Sequence, residues 1–114
     1  MDKIVFITGA SSGIGAGCAR KFASQGASLI VNARNVNKLS ALKEELEKQY
    51  GAKIYLLPFD VRDRKAATSA LESLPKEWQS IDILVNNAGL VIGTDKEQEG
   101  SLDEWDTVID TNIK

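Results

Sequence analysis

The hydrophobic positions of residues 1–26 predict a strand followed by a helix. Residues 4–7 are all apolar and mostly β-branched, which is typical of a strand buried on both faces. After a run of glycines and small hydroxyl residues, apolar residues recur every four positions, at Ile14, Cys18 and Phe22, with alanines beside them. This spacing predicts a helix that begins near Gly13 and ends at residues 25–26, with Gly26 as its C-cap.

A second strand and helix follow directly. Residues 28–32 predict the second strand, and residues 32–35 form its exit loop. Apolar residues then recur at helical spacing, at Val36, Leu39, Leu42, Leu46 and Tyr50. They predict a helix over 36–50 that Gly51 closes. The charged residues between them are typical of a solvated helix face.

A third unit follows the same order. Residues 53–59 predict a strand whose ladder ends at Pro58, because proline has no N–H to donate. Asp63 is the expected N-cap of a third helix, which stops before Pro75.

The last unit has a longer connection between strand and helix. Residues 81–85 predict a strand, and residues 90–100 a polar loop. The capping box Ser101-x-x-Glu104 then predicts a fourth helix. Its apolar face would carry Leu102, Trp105, Val108, Ile109 and Asn112.

Strands that alternate with helices predict an α/β fold, a Rossmann-like doubly wound parallel sheet with helices on both faces. Ligands of such sheets bind outside the carboxyl ends of the strands. The residues at those ends are polar or glycine-rich, at 8–15, 32–35, 60–61 and 86–89. The pattern therefore favours one extended cleft.

Composition restricts the function classes. The chain has 114 residues with net charge −2, so nothing indicates a nucleic-acid or membrane-surface protein. With one cysteine and no histidine, neither an internal disulfide nor a zinc site is expected, and Cys18 is expected in the core. The N-terminal apolar run is too short for a signal peptide or a membrane span, which favours the cytoplasm.

The first turn has the geometry that binds a dinucleotide pyrophosphate. Gly9 would permit a tight exit from the strand, Gly13 would let the backbone approach phosphate, and Gly15 would let the helix lie close to the strand. The helix N-terminus adds partial positive charge. The alternative is a turn whose glycines serve backbone geometry alone. We therefore expect one dinucleotide-binding domain over 1–114.

The tip of the second strand bears on the choice of cofactor. Some dinucleotide sites carry an acid about 20 residues past the glycines, where it binds the ribose 2′-hydroxyl. Here the tip reads Asn32-Ala33-Arg34, with no acid. Arg34 could pair with a 2′-phosphate, which favours NADP over NAD. The alternative is a solvated arginine before a helix.

Polar residues at the other strand ends have open roles. Asp60 could accept from the adenine amino group or be an ordinary loop aspartate. Asn86 and Asn87 could bridge strands, contact ribose, or build a turn. Asn112, on the apolar face of the last predicted helix, is either a structural bridge or part of a site.

Together these residues resemble the short-chain dehydrogenase/reductase family. The matching motifs are Thr8-Gly9-x-x-x-Gly13-Ile14-Gly15, Asp60-Val61, Asn86-Asn87-Ala88-Gly89 and Ile109-Asp110-Thr111-Asn112, in the family's order and spacing. More finely, Leu74-Pro75-x-Glu77-Trp78 and the segment 81–90 resemble the branch that oxidises serine and other 3-hydroxy acids with NADP.

The resemblance implies roles for particular residues. Pyrophosphate and adenosine ribose would be held by Gly9, Ala10, Ser11, Ser12, Gly13 and Ile14. Arg34 and Asn35 would select the 2′-phosphate, and Asp60 and Val61 would hold adenine. At the exit of the fourth strand, the cofactor would be bound by Asn87, Ala88 and Gly89, with Asn87 beside the ribose. Asn112 would be the asparagine of the catalytic tetrad and support a proton relay.

By the resemblance, the family's serine and its Tyr-x-x-x-Lys pair would come after residue 114, and neither tyrosine in these residues supplies a substitute. Four residues past Tyr50 is Ile54, and four past Tyr55 is Phe59. We therefore expect the N-terminal part of an NADP-dependent oxidoreductase, a homotetramer when complete. The missing neighbour of the fourth strand would leave a sheet edge exposed beyond Val85. The alternative is a non-catalytic nucleotide-binding or interaction fragment.

Overall fold

The computed structural model describes residues 2–88 and 107–110. In them, five parallel strands form one sheet in the order β3-β2-β1-β4-β5. The strands are β1 Ile4–Thr8, β2 Ser28–Val31, β3 Ile54–Leu56, β4 Ile83–Asn86 and β5 Thr107–Asp110. The helices are α1 Gly13–Ser24, α2 Val36–Tyr50 and α3 Arg64–Glu72, followed by a 3₁₀ turn at Lys76–Trp78. The predicted Rossmann-like fold is confirmed.

Helices cover both faces of the sheet, which explains why the strands are apolar without alternation. Val5 and Ile7 of β1 pack with α1 and α2, whereas Phe6 points to the opposite face and packs with α3. All three side chains are fully buried. Each central strand therefore needs apolar residues at consecutive positions.

Side-chain caps fix the helix starts where the sequence places them. Asn35 Oδ1 accepts from Lys38 N, and Asp63 Oδ1 accepts from Ala66 N, both at 3.1 Å. At the other end of α2, Gly51 has φ 65°, which satisfies the closing turn. The C-cap of α1 is Gln25 rather than the predicted Gly26, and Gly26 follows it with φ 87°.

Three residues predicted on apolar helix faces are exposed. They are Ile14, Val36 and Tyr50. Each lies within two residues of an end of its helix, whereas the buried residues begin at Gly15 in α1 and at Leu39 in α2. Cys18 is partly buried and packs against the core, so its predicted place is confirmed in part.

The prediction of a fourth helix is wrong over residues 107–110, which form β5 beside β4. Thr107, Val108 and Ile109 are β-branched, and the outer edge of β4 offers backbone groups for a parallel ladder. The predicted open edge beyond Val85 is therefore also wrong, because β5 covers it. The rest of the predicted helix, the loop 90–100, Gly89 and Asn112 lie outside the described residues.

The third strand, β3, is shorter than predicted, because beyond Leu57 the side chain of Asn32 takes the place of backbone hydrogen bonds from β2. Leu57 N still donates to Val31 O at 2.9 Å, but the amide of Asn32 then takes over. Asn32 Nδ2 donates to the carbonyls of Leu57 and Phe59, at 3.0 and 3.1 Å, on both sides of Pro58. The fourth strand begins two residues later than predicted, at Ile83, after Asp82 N donates to Ile4 O.

Candidate cofactor-binding site

The strand order reverses between β1 and β4, so this is the switch point of the sheet. The chain runs outward from β1 through β2 to β3 and then returns to β4 on the other side of β1. Connections on the two sides leave the sheet in opposite directions, which opens a crevice above the carboxyl ends. Thr8 and Asn86 are register partners at that end, and the predicted glycine turn and Asn87 follow them.

The glycine turn is as tight as predicted. Gly9 has φ 63°, a conformation that favours glycine. A Cβ on Gly15 would lie 2.1 Å from the Gly9 carbonyl oxygen, so only glycine permits α1 to lie this close to the turn. The geometric roles predicted for Gly9 and Gly15 are confirmed. At Gly13 a Cβ would meet nothing within 4 Å, so the space beside that residue is open.

The N-terminus of α1 presents backbone donors to the crevice. Ser12 caps the helix: its Oγ accepts from Gly15 N at 3.0 Å and donates to Gly9 O at 2.9 Å. The first intrahelical bond runs from Ala16 N to Ser12 O. The N–H groups of Gly13 and Ile14 precede that bond, and helix ends with such N–H groups bind anions.

Asn86 and Asn87 bridge neighbouring strands, which is one of the three roles that the sequence analysis left open. Asn87 Nδ2 donates to Gly9 O at 3.2 Å and to Ser12 Oγ at 2.8 Å. Thr8 Oγ1 donates to Asn86 Oδ1 at 3.1 Å and accepts from Ala88 N at 3.0 Å. These contacts hold the exit of β4 against the glycine turn.

Asn32 is a site-building residue to which the sequence analysis gave no role beyond ending the second strand and starting its exit loop. Its side chain is 1% exposed and bonds two carbonyls beyond β3, while its own carbonyl accepts from Ala10 N at 2.7 Å. It therefore links the exits of β1, β2 and β3. A polar residue at the end of an apolar strand was the available signal, since a buried amide must find partners.

A cleft of about 330 Å³ lies over these strand exits. It is lined by Gly9, Ser11, Asn32, Ala33, Arg34, Phe59, Asp60, Val61, Arg62 and Ala88. The predicted residues Ala10, Ser12, Gly13, Ile14, Asn35 and Asn87 are not in this lining. Ala10 is fully buried and Asn35 caps α2, whereas Ser12, Gly13 and Ile14 form the adjoining start of α1.

Asp60 is the centre of the charged side of the cleft. Arg62 Nη2 donates to Asp60 Oδ2 at 2.9 Å, and Arg62 N donates to Asp60 Oδ1 at 2.9 Å. Arg34 Nη1 lies 3.9 Å from Asp60 Oδ2. The hydrogen bonds from Arg62, with the charge of Arg34 as the smallest contribution, lower the pKa of Asp60 to about 2.

A second cavity, of about 250 Å³, lies at the opposite end of the sheet. Its charged lining residues are Asp2, Lys3, Lys53, Glu77 and Asp82. Three acids against two lysines disfavour a pyrophosphate, whereas the first cleft has two arginines against one aspartate. The first cleft is therefore the better anion site of the two.

The described residues offer neither a candidate metal site nor a candidate membrane-spanning helix. Residues 2–88 and 107–110 contain no group of three metal-ligating side chains. In the same part of the chain, no helix combines the length and apolar character needed to cross a membrane.

The fold and the cleft define a dinucleotide-binding α/β protein. Residues 3–114 match the family model described as short chain dehydrogenase, and the chain belongs to that family. The motifs that suggested the resemblance lie within the matched range, so the predicted family is confirmed.

Three relatives show which kinds of short-chain dehydrogenase the chain is similar to. Over 111 residues the chain is 45% identical to the NADP-dependent 3-hydroxy acid dehydrogenase YdfG of Escherichia coli O6:H1, covering 97% of this chain and 43% of that protein. The crystal structure of serine dehydrogenase from Escherichia coli is 42% identical, with TM-score 0.69, covering 89% of this chain and 45% of that one. L-sorbose reductase from Gluconobacter frateurii, complexed with NADPH and L-sorbose, is 34% identical, with TM-score 0.72, covering 86% of this chain and 37% of that one.

The chain thus spans less than half the length of each of these three relatives. These comparisons support NADP as the cofactor, in agreement with the prediction from the tip of β2.

Proposed function

We propose that the protein binds NADP in the cleft and, as a whole, transfers hydride between NADP and the hydroxyl-bearing carbon of a small alcohol. A 3-hydroxy acid such as serine is the proposed substrate. The observation that carries the proposal is the position of Arg34 at the tip of β2, in a cleft that adjoins a glycine turn and a helix N-terminus. The names of the relatives support both the reaction and the substrate class.

The pyrophosphate is proposed to bind at the turn formed by Gly9, Ala10, Ser11, Ser12, Gly13 and Ile14. The residues present fit this group, because the space beside Gly13 is open and Gly13 N precedes the first hydrogen bond of α1. The partial positive charge of the helix end favours an anion there.

The 2′-phosphate is proposed to pair with Arg34, whose side chain is 69% exposed and can therefore reach a ligand in the cleft. Asn35 Oδ1 accepts from Lys38 N. Its proposed contribution to phosphate selection is therefore to start α2 beside Arg34, leaving its amide nitrogen for contact with the ligand.

Adenine is proposed to lie against Asp60 and Val61, which line the cleft beside Arg34. Asn87, Ala88 and Gly89 are proposed to border the ribose, where Asn87 is held by its bonds to the glycine turn. Asn112 is proposed as the tetrad asparagine.

When bound, NADP supplies the hydride acceptor or donor, and the residues of this chain bind and orient it. Proton transfer from the substrate hydroxyl requires a positioned base. In the printed sequence neither tyrosine has a lysine four residues later, and histidine does not occur. The base of the complete enzyme is therefore proposed to be a family tyrosine outside these 114 residues.

A non-catalytic nucleotide-binding role is the second candidate, and the absence of that base from the printed sequence favours it. The intact protein should be mixed with NADP and serine or other 3-hydroxy acids, and separately with NADPH and the ketose L-sorbose, and the formation or consumption of NADPH followed by absorbance. Turnover with 3-hydroxy acids above that with L-sorbose supports the proposal. Tight NADP binding by calorimetry without turnover of any alcohol would instead support the second candidate.

We also propose that the complete protein is a cytoplasmic homotetramer. The composition supports a small-molecule enzyme without a nucleic-acid partner. Light scattering on the intact protein would measure its mass directly, and a monomeric mass would contradict the tetramer.

A further inference from the structure

Arg62 takes up both oxygens of the Asp60 carboxylate. Its backbone N–H and its Nε donate to Oδ1, at 2.9 and 3.1 Å, and its Nη2 donates to Oδ2 at 2.9 Å. Arg34 Nη1, at 3.9 Å from Oδ2, is within ion-pair range but too far for a hydrogen bond. Asp60 is therefore bound by Arg62 and only approached by Arg34.

Because Arg62 binds Asp60 and Arg34 does not, Arg34 is the arginine available to an anion in the cleft. Planar guanidinium groups bind carboxylates through paired N–H donors, and Arg62 already makes that arrangement with Asp60, from Nε to Oδ1 and from Nη2 to Oδ2. Without the Arg62 side chain, the backbone N–H of residue 62 would still donate to Oδ1, but Oδ2, the oxygen nearest Arg34, would be unoccupied. Closing a gap of about 1 Å would then give a hydrogen bond between Arg34 and Oδ2. A bound 2′-phosphate would then compete with Asp60 for Arg34 and be repelled by its charge.

We propose that Arg62 sets the NADP preference indirectly, by occupying the Asp60 carboxylate and so leaving Arg34 available to the 2′-phosphate. The inference rests on the proposed function, in which NADP binds in this cleft with its 2′-phosphate at Arg34. Arg62 is a positioning residue here, because it acts through Asp60 and Arg34 rather than on the cofactor.

The effect is moderate, because all three groups are open to solvent. The exposed fractions of the side chains are 69% for Arg34, 75% for Arg62 and 33% for Asp60. Exposed ion pairs have small net free energies, so Arg62→Ala should weaken NADP binding about two- to fivefold. The affinity for NAD should stay the same, since NAD has no 2′-phosphate.

The test is a titration of the intact protein with NADP and with NAD, for wild type, Arg62→Ala, and the double variant Arg62→Ala with Asp60→Asn. The asparagine removes the charge that would hold Arg34, so the double variant should recover the NADP-to-NAD affinity ratio of wild type. Lys65→Ala, which removes the same charge from an exposed residue of α3, should leave the ratio unchanged.

Each other outcome overturns the inference in a recognisable way. Equal weakening of NADP and NAD in Arg62→Ala would mean that Arg62 only maintains the loop. A ratio that stays low in the double variant would mean that Arg62 contacts the phosphate itself. If wild type binds neither nucleotide, the proposed function fails, and this inference fails with it.

Discussion

Arg34 lies at the tip of β2, where an acid would favour NAD. At the scale of one residue, its substitution tests the choice of cofactor. We expect Arg34→Ala to weaken NADP binding by about 1.5–3 kcal/mol, the worth of a hydrogen bond to a charged group. NAD binding should hardly change. Isothermal titration with both cofactors measures this, with Lys48→Ala, an exposed lysine of α2, as the control. Equal losses for both cofactors would contradict a 2′-phosphate contact.

Asp60 gives a prediction about acid stability. Its pKa falls from 3.8 to about 2 in the folded protein, chiefly through the hydrogen bonds from Arg62. A lowered folded-state pKa stabilises the fold above the unfolded value, and that stabilisation disappears as the pH falls toward 2. We expect wild type to lose stability relative to Asp60→Asn between pH 4 and pH 2, measured as thermal midpoints. Parallel curves would mean that Asp60 is not held by Arg62.

The sequence indicates the residues of the cleft better than the contacts among them. Gly9, Arg34 and Asp60 follow from their positions just after strands, since parallel strands end at one edge. The bonding of Asn32 could not be read from spacing, because its partners Leu57 and Phe59 are about 25 residues away, at the exit of another strand. The bonds from Arg62 to Asp60 join residues two apart, and the sequence analysis did not consider them.

At the scale of the element, two glycines in the first turn of α1, Gly13 and Gly15, have different roles. Gly13→Val should abolish NADP binding while the fold is retained, because the side chain enters open space where the phosphate is proposed to bind. Gly15→Ala should instead destabilise the fold, since its Cβ would overlap the Gly9 carbonyl.

Calorimetric titration and thermal unfolding of both variants separate the two effects. Normal NADP binding by Gly13→Val would place the phosphate elsewhere. A Gly15→Ala variant as stable as wild type would contradict the close approach of α1 to the turn.

Local signals predict the helices of this fold better than its outer strands. The starts of α2 and α3 are predicted correctly, from apolar spacing and from the cap at Asp63 respectively, because both are properties of short segments. The end of β3 depends on an amide from β2, and β5 depends on the free edge of β4. Helical periodicity in residues 101–112 could not reveal that edge, so the prediction there is wrong over β5.

At the scale of the whole molecule, we expect NADP binding without catalytic turnover from the 114 residues alone. We expect the 114 printed residues, purified and given NADP with serine or 3-hydroxy acids, to bind the cofactor but to produce no NADPH above background. The reason is that they contain no histidine and no tyrosine with a lysine four residues later. The absorbance of reduced nicotinamide measures this, and turnover by these residues alone would contradict it.

The bonds of Asn32 have a consequence for the rate at which backbone protons exchange with water. β3 has only three residues and lies at the edge of the sheet, where ladders usually open first. Because Asn32 holds the carbonyls of Leu57 and Phe59, the Leu57 amide, bonded to Val31 O, should exchange slowly in deuterium oxide. In Asn32→Ala that proton should exchange at least about tenfold faster, while those of β1 keep their rates. Unchanged exchange at Leu57 would mean that the ladder alone keeps this edge closed.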